Sequence, residues 1–142
     1  MDKYPLDQIL PHRAPMILLT DYDADSFSPE GVVAEVTVGS GDVFFDHALG
    51  GVPNVAALEY MAQTVACYAG LKARSEGREP RIGYVLGSRN LTLSVPFFRS
   101  GATYRIRCSL LFFDDGFASF DCGILDASGA VVASAILSAY SP

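Results

Sequence analysis

The chain has 142 residues, a length that suits one domain, residues 1–142, built around a single hydrophobic core. Hydrophobic residues account for 50% of the sequence and charged residues for only 18%, so we expect part of the apolar surface to lie in an interface between subunits. The net charge of −6 argues against nucleic acid as a partner, because binding phosphate requires a basic surface.

The N-terminal part of the chain predicts a helical turn followed by extended segments. Pro11 ends the helical turn, and an extended run begins at Met16. A polar turn follows at 26–31. In 32–38, valine and alanine alternate with Glu35 and Thr37, which predicts a strand with one buried face.

A long apolar helix follows, and after it the pattern changes to strands. Pro53 suits the first helical position, and Gly77 is the stop signal. Strands are predicted at 81–95, 103–113, 117–125 and 130–140. The turn sequences 114–116 and 126–129 join the last three into an antiparallel meander. We therefore predict an α+β fold in which a curved antiparallel sheet of about five or six strands wraps around the helix.

The apolar run 16–19 is far too short for a signal peptide or a membrane span, and we expect a cytoplasmic protein. Three cysteines, Cys67, Cys108 and Cys122, are an odd number without C-x-x-C spacing. This pattern argues against a disulfide framework and against a zinc site, so we expect no metal and predict three buried thiols.

One acidic side chain interrupts the apolar helix. Helical projection places Glu59 and Gln63 on one narrow stripe with the small residues Ala56, Ala66 and Gly70. Small residues leave a groove, and an amide one turn away can orient the carboxyl group. A carboxyl group in apolar surroundings can give or take a proton near neutral pH, because desolvation favours its neutral form. Alternatively, Glu59 joins a buried hydrogen-bond network or pairs with an arginine across an interface.

A histidine stands just before this helix. His47 can act as a base if the glycines of the turn bring it back towards the groove, and it is otherwise an exposed loop histidine. The amides of Gly51 and Val52 are candidates for polarising a carbonyl oxygen. A base, an acid and an oxyanion site are what elimination of water from a 3-hydroxyacyl thioester needs. His47 would remove the α-proton, and Glu59 would protonate the departing hydroxyl.

Three stretches resemble one enzyme family. ILPHRAPMILLTD is similar to the N-terminal signature of hot-dog-fold 3-hydroxyacyl-acyl-carrier-protein dehydratases, LEYMAQTVA to their central helix, and SVPFFRSGATYRI to a later strand pair. The resemblance implies a hot-dog dimer in which each site takes its histidine from one subunit and its acid from the other. It implies formation of a trans-2-enoyl thioester in fatty acid or aryl polyene type biosynthesis. The substrate would be carried on the phosphopantetheine of acyl carrier protein, without a further cofactor.

The turn that carries His47 departs from this family. The family has a Gly-His-Phe-Pro stretch farther from the acid, whereas here Asp46, His47, Ala48 and Leu49 occur. The sequence GGVP resembles a divergent branch found with aryl polyene clusters, whose members can work beside a second dehydratase subunit. A homodimer, a heterodimer in which this chain is the noncatalytic half, and a hot-dog thioesterase that uses Glu59 all remain possible interpretations.

The basic residues are concentrated in one part of the chain. Residues 72–107 carry eight basic and two acidic side chains, whereas the rest carries two basic and fourteen acidic ones. Such a segment predicts a docking surface for an acidic partner, for which the resemblance suggests acyl carrier protein. The docking candidates are Arg74, Arg78, Arg81, Arg89 and Arg99. For His12 and Arg13, we expect hydrogen bonds that fix the start of the following strand.

Overall fold

The fold is a long helix against a curved antiparallel sheet, as predicted from the sequence. The structure is a computed structural model, and it describes residues 3–81 and 83–142. Within these residues the elements are a 3-10 turn at Leu6–Gln8, β1 (Asp21–Ser28), β2 (Gly31–Thr37), β3 (Gly51–Pro53), a 3-10 turn at Asn54–Ala56, α1 (Ala57–Ser75), β4 (Tyr84–Leu93), β5 (Phe97–Arg99), β6 (Thr103–Asp114), β7 (Phe117–Leu125) and β8 (Val131–Tyr140). Ile82, part of the predicted strand 81–95, lies outside the described residues.

The described strands form a main sheet in the order β1-β2-β6-β7-β8-β4, and β3 pairs separately with β5. All of these pairs are antiparallel. The predicted meander β6-β7-β8 is confirmed, and its first turn uses Asp115 and Gly116, both with positive φ. Positive φ at both central residues matches the twist of a two-residue hairpin, which explains why Asp-Gly predicted this turn.

Two boundaries differ from the sequence prediction. Helical backbone begins directly after Pro53, but its first turn, Asn54–Ala56, is a 3-10 turn and the α-helix itself begins at Ala57. Pro53 is not the first helical residue, because Gly51–Pro53 pairs with Phe97–Arg99 as a short strand. The predicted turn at 26–31 is mostly strand, and only residues 29 and 30 form the turn between β1 and β2. Strand β1 is polar and lies at a sheet edge, so it lacks the alternation that revealed β2.

The core lies between α1 and the concave face of the sheet. Tyr60 packs edge-on against Phe98, with ring centroids 5.2 Å apart, and Phe98 packs in the same way against Tyr104. The helix contributes most of its length to this core through its buried residues Ala57, Tyr60, Met61, Gln63, Thr64, Val65, Cys67, Tyr68, Gly70, Leu71 and Ala73. Because so much of this helix is buried against apolar and aromatic side chains, it carries few charged residues.

The N-terminal segment covers part of the helix. A side chain at Gly70 would collide with the carbonyl oxygen of Ile9, so glycine allows the two backbones to approach closely. Two helical turns earlier, Gln63 is bonded to residues 16–19. The stripe that was expected to be an open groove is therefore partly occupied. The open groove lies along the adjoining residues Ala62, Ala69 and Ala73, and it includes Glu59 and Ala66 of the stripe.

Strand β4 forms one edge of the main sheet and is largely exposed. Its apolar side chains Tyr84, Val85, Leu86 and Leu91 are between 41% and 58% exposed. Its pairing with β8 is interrupted by register shifts between Val85 and Gly87 and between Arg89 and Thr92, and Asn90 has a φ of 56°. An exposed apolar edge of this kind can accept another strand.

The three cysteines are buried and free, as predicted. Burial raises the pKa of the Cys108 thiol to about 12, and it also raises the pKa of Cys67 and of Cys122. Across residues 3–81 and 83–142, no helix has the length and apolar composition needed to cross a bilayer.

Candidate active site

A cavity of ≈ 620 Å³ runs along the alanine face of α1. Ala62, Ala66, Ala69 and Ala73 recur at three- and four-residue spacing, so they lie on one face, and their small side chains leave the space open. The opposite walls come from the start of β4 and from β6, β7 and β8. Glu59 and His12 both line this cavity.

Gln63 connects Glu59 to the N-terminal segment. Its side-chain oxygen accepts hydrogen bonds from the amides of Leu18, at 2.9 Å, and Leu19, at 3.4 Å. Its side-chain nitrogen donates to the carbonyl oxygen of Met16, at 2.7 Å, and to Oε1 of Glu59, at 3.2 Å. Because Gln63 is fully buried, these four bonds fix its rotamer and, through it, one oxygen of the acid.

His12 lies near the same carboxylate oxygen. Its Nε2 lies 3.6 Å from Oε1 of Glu59, and the two side chains are 26% and 37% exposed. Arg13, next to it, donates to the carbonyl oxygens of Leu10 and His12 and thereby shapes the loop, as expected for this residue. His12 was expected only to help fix the strand, but the structure places it beside the candidate acid.

The structure does not bring His47 to Glu59 of the same chain. His47 is exposed, its ring packs edge-on against Phe45 with ring centroids 4.9 Å apart, and it is not among the residues that line the cavity. Gly51 and Val52 are buried in β3, before the helix begins. The amide of Gly51 donates to the carbonyl oxygen of Asp46, at 3.3 Å, so it is not the free N-terminal amide that was predicted.

Two of the five predicted docking arginines, Arg78 and Arg81, line the cavity, together with Lys72. Arg78 also pairs with Glu76, and the guanidinium lowers the pKa of that carboxyl group. The other three candidates do not line this cavity. Arg74 lies over the ring of Tyr4 and donates to the carbonyl oxygen of Gln8, whereas Arg89 and Arg99 belong to β4 and β5.

The walls between Glu59 and the basic side chains are apolar and aromatic. Tyr68 packs against Phe120 with ring centroids 5.5 Å apart, and its hydroxyl donates to the carbonyl oxygen of Pro29. The ammonium group of Lys72 lies 4.8 Å from the ring centroid of Phe113. Such a cavity can hold an extended apolar chain with a polar group at either end.

Nothing in the described part of the chain forms a group of three histidine, cysteine, aspartate or glutamate side chains that could hold a metal. The chemistry that the arrangement supports is that of an oriented carboxyl group. Sequence reasoning found Glu59 and Gln63 because they lie one turn apart, but it did not assign His12 to the site. The available signal was that ILPHRAPMILLTD places one of only two histidines inside a family signature.

Comparison with known proteins identifies the family. The model of the ApeP-like family, described as ApeP dehydratase, matches residues 4–142. Among solved structures, a chain of the dehydratase heterocomplex ApeI:P from Xenorhabdus doucetiae is 31% identical to this chain, with a TM-score of 0.91 over 99% of this chain and 93% of that one. A search of curated protein sequences returns no significant match.

More distant structures share the fold. The E. coli PaaI protein from the phenylacetic acid degradation operon is 13% identical, with a TM-score of 0.65 over 85% of this chain and 82% of that one. The TT0310 protein from Thermus thermophilus is 13% identical, with a TM-score of 0.67 over 92% of this chain and all of that one (100%). These matches and the observed topology confirm the hot-dog fold. With the family match across nearly the whole chain, they show that this protein belongs to the ApeP-like dehydratase family.

Proposed function

We propose that this chain provides the acid for dehydration of a 3-hydroxyacyl thioester, carried on acyl carrier protein, to the trans-2-enoyl thioester. The observation that carries the proposal is the placement of Glu59 in an apolar cavity, with one carboxylate oxygen held by Gln63. A fixed carboxyl group can deliver a proton to a substrate hydroxyl without first reorganising.

The reaction assigns a defined role to Glu59. A base removes the α-proton, and the electron pair of the C–H bond forms the α,β double bond as the β C–O bond breaks. Glu59 supplies the proton with which the hydroxyl leaves as water. The amides of Gly51 and Val52 are the candidates for polarising the thioester carbonyl. The Gly51 amide could do so only after it is released from the carbonyl oxygen of Asp46.

The base at this site would come from a second subunit. His47 lies outside the cavity of its own chain, so in a homodimer the partner's His47 would face Glu59. In a heterodimer the base would be a histidine of a different hot-dog subunit. The ApeI:P structure, a heterocomplex, supports pairing with a second subunit. The exposed apolar edge of β4 is the surface through which we expect the second subunit to join.

Acyl carrier protein is the partner that fits the basic end of the cavity. Lys72 follows Glu59 by thirteen residues, about 20 Å along a helix, and Arg78 and Arg81 line the cavity with it. These cations can bind the phosphate of a phosphopantetheine arm while the arm extends towards Glu59. The aromatic walls suit a flat polyunsaturated or aryl acyl chain of the aryl polyene type.

The test is the activity of Glu59→Gln with a 3-hydroxyacyl carrier-protein thioester. The assay uses the homodimer, and also the complex with a second hot-dog subunit if one copurifies. We expect the variant to dehydrate at least about a hundredfold more slowly, the scale of general acid catalysis. The matched control is Glu79→Gln, because the Glu79 side chain is 87% exposed.

The product mass separates the competing functions. Loss of water supports dehydration, and release of the free acid identifies a thioesterase. No change with any partner identifies a noncatalytic subunit. Full dehydratase activity in Glu59→Gln would remove this residue from the mechanism.

A further inference from the structure

We propose that His12 is a positioning residue for Glu59: as a neutral imidazole it donates from Nε2 to Oε1 and leaves the second carboxylate oxygen to the substrate hydroxyl. The inference rests on the proposed function, because it concerns the acid of that same site. It gives a role to the histidine of the N-terminal signature.

Two donors from different parts of the chain converge on one oxygen. The side-chain nitrogen of Gln63 lies 3.2 Å from Oε1 of Glu59, and Nε2 of His12 lies 3.6 Å from the same atom. The second distance exceeds that of a formed hydrogen bond, but catalytic hydrogen bonds in unliganded sites are commonly long and tighten when substrate binds. With Oε1 occupied, Oε2 is the oxygen that remains for the substrate.

The other ring nitrogen indicates which form of His12 is present. Nδ1 is buried and has no hydrogen-bond partner within the described residues. Protonation of both nitrogens would bury a charged N–H group without an acceptor, which is more costly than an unpaired lone pair. The favoured form is therefore the neutral tautomer with hydrogen on Nε2, the nitrogen that faces Glu59.

A neutral donor suits the reaction better than a cation would. An imidazolium beside Glu59 would favour the carboxylate and remove the proton that the acid must deliver. The adjacent Arg13 is directed to backbone carbonyl oxygens. The other ionisable groups that line the cavity are Tyr68, Lys72, Arg78, Arg81, Tyr84 and Tyr140.

The loop that carries His12 is held on both sides. Before it, Ile9 lies against Gly70, and after it, residues 16–19 are bonded to Gln63. The imidazole is thus presented to Glu59 by a segment anchored to the same helix. This anchoring is what a positioning residue requires, because a mobile donor would not orient the carboxyl group.

The test compares His12→Gln with His12→Met in the assembled, active protein. The two side chains have similar length, but only glutamine can donate a hydrogen bond. We expect His12→Met to lower kcat about tenfold with little change in KM, and His12→Gln to stay within about threefold of the wild type. Should His12→Met fail to fold, His12→Phe takes its place.

A second measurement tests whether His12 affects kcat through Glu59. In the Glu59→Gln background, His12→Met should cause no further loss, because its effect passes through the missing acid. The inference would be overturned if kcat were unchanged in His12→Met, or if His12→Met and His12→Gln lowered it equally. It would also be overturned if His12→Met caused its full loss in the Glu59→Gln background. Wild-type activity in Glu59→Gln alone would instead overturn the proposed function.

Discussion

Replacing Gln63 by leucine should destabilise the protein through the N-terminal segment rather than through the helix. Leucine is close in size to glutamine and favours helix, so packing and helix propensity change little. The substitution leaves the amides of Leu18 and Leu19 without their acceptor and the carbonyl of Met16 without its donor. It also removes the bond that holds Oε1 of Glu59.

The burial of these groups sets the size of the effect. Met16 is 38% exposed, so water can replace its lost donor, whereas Leu19 is only 4% exposed. A buried donor without a partner costs about 1–3 kcal/mol. The Leu18 bond is short and the Leu19 bond is long, at 2.9 and 3.4 Å, so we expect a total loss of about 2–4 kcal/mol in unfolding free energy.

The assay is urea unfolding at one protein concentration, combined with amide hydrogen exchange at Leu18 and Leu19. The matched control is Thr64→Val, since Thr64 is equally buried but its hydroxyl bonds only to Tyr60 of its own helix. We expect both amides to exchange faster in Gln63→Leu and at the wild-type rate in Thr64→Val. If Gln63→Leu were as stable as the control and kept both amides protected, the role assigned to Gln63 would be refuted.

Two further predictions concern the basic end of the cavity and the buried thiols. The double reversal Arg78→Glu with Arg81→Glu should lower turnover of a carrier-protein thioester at least about tenfold more than turnover of a small thioester. The reversal of Arg105 and Arg107, exposed on β6, serves as its control, and equal effects on both substrates would contradict docking at the cavity. Because burial raises the pKa of Cys108 to about 12, the unfolded chain loses this proton first as the pH rises above about 9, and stability should fall from there towards pH 12. Urea unfolding at pH 8 and 10 should show a shallower fall in Cys108→Ala, by up to about 1.4 kcal/mol per pH unit, and an unchanged slope would contradict it.

Much of the fold could be predicted from local patterns. The helix and the β6-β7-β8 meander follow from apolar periodicity and from turn sequences such as Asp114–Gly116, because these signals act between neighbours in sequence. Strand β1 was only partly predicted, because its sequence is mostly polar and only Tyr22 of the strand is buried, so it shows no clear alternation of apolar and polar residues. The short pair β3-β5 joins Gly51–Pro53 to residues far away in sequence, so no local pattern marks it.

In the candidate site, too, local sequence patterns could place some residues, whereas the position of others depends on tertiary contacts. Glu59 and Gln63 are one helical turn apart, so sequence alone could place them together. The approach of His12 depends on how the N-terminal segment crosses α1 at Gly70, which is a tertiary contact. For His47 the sequence was misleading. It is close to the helix in sequence and was therefore predicted to act with Glu59, but the fold does not bring it into the cavity of its own chain.

The irregular edge of β4 bears on how this protein avoids aggregation. A straight, apolar edge strand of ten residues would pair with almost any other exposed strand. The two register shifts and the left-handed Asn90 interrupt its hydrogen-bonding pattern, so a regular strand can match only part of it. These irregularities discourage fibrous stacking, and a second subunit that joined at β4, as proposed above, would need an edge complementary to them.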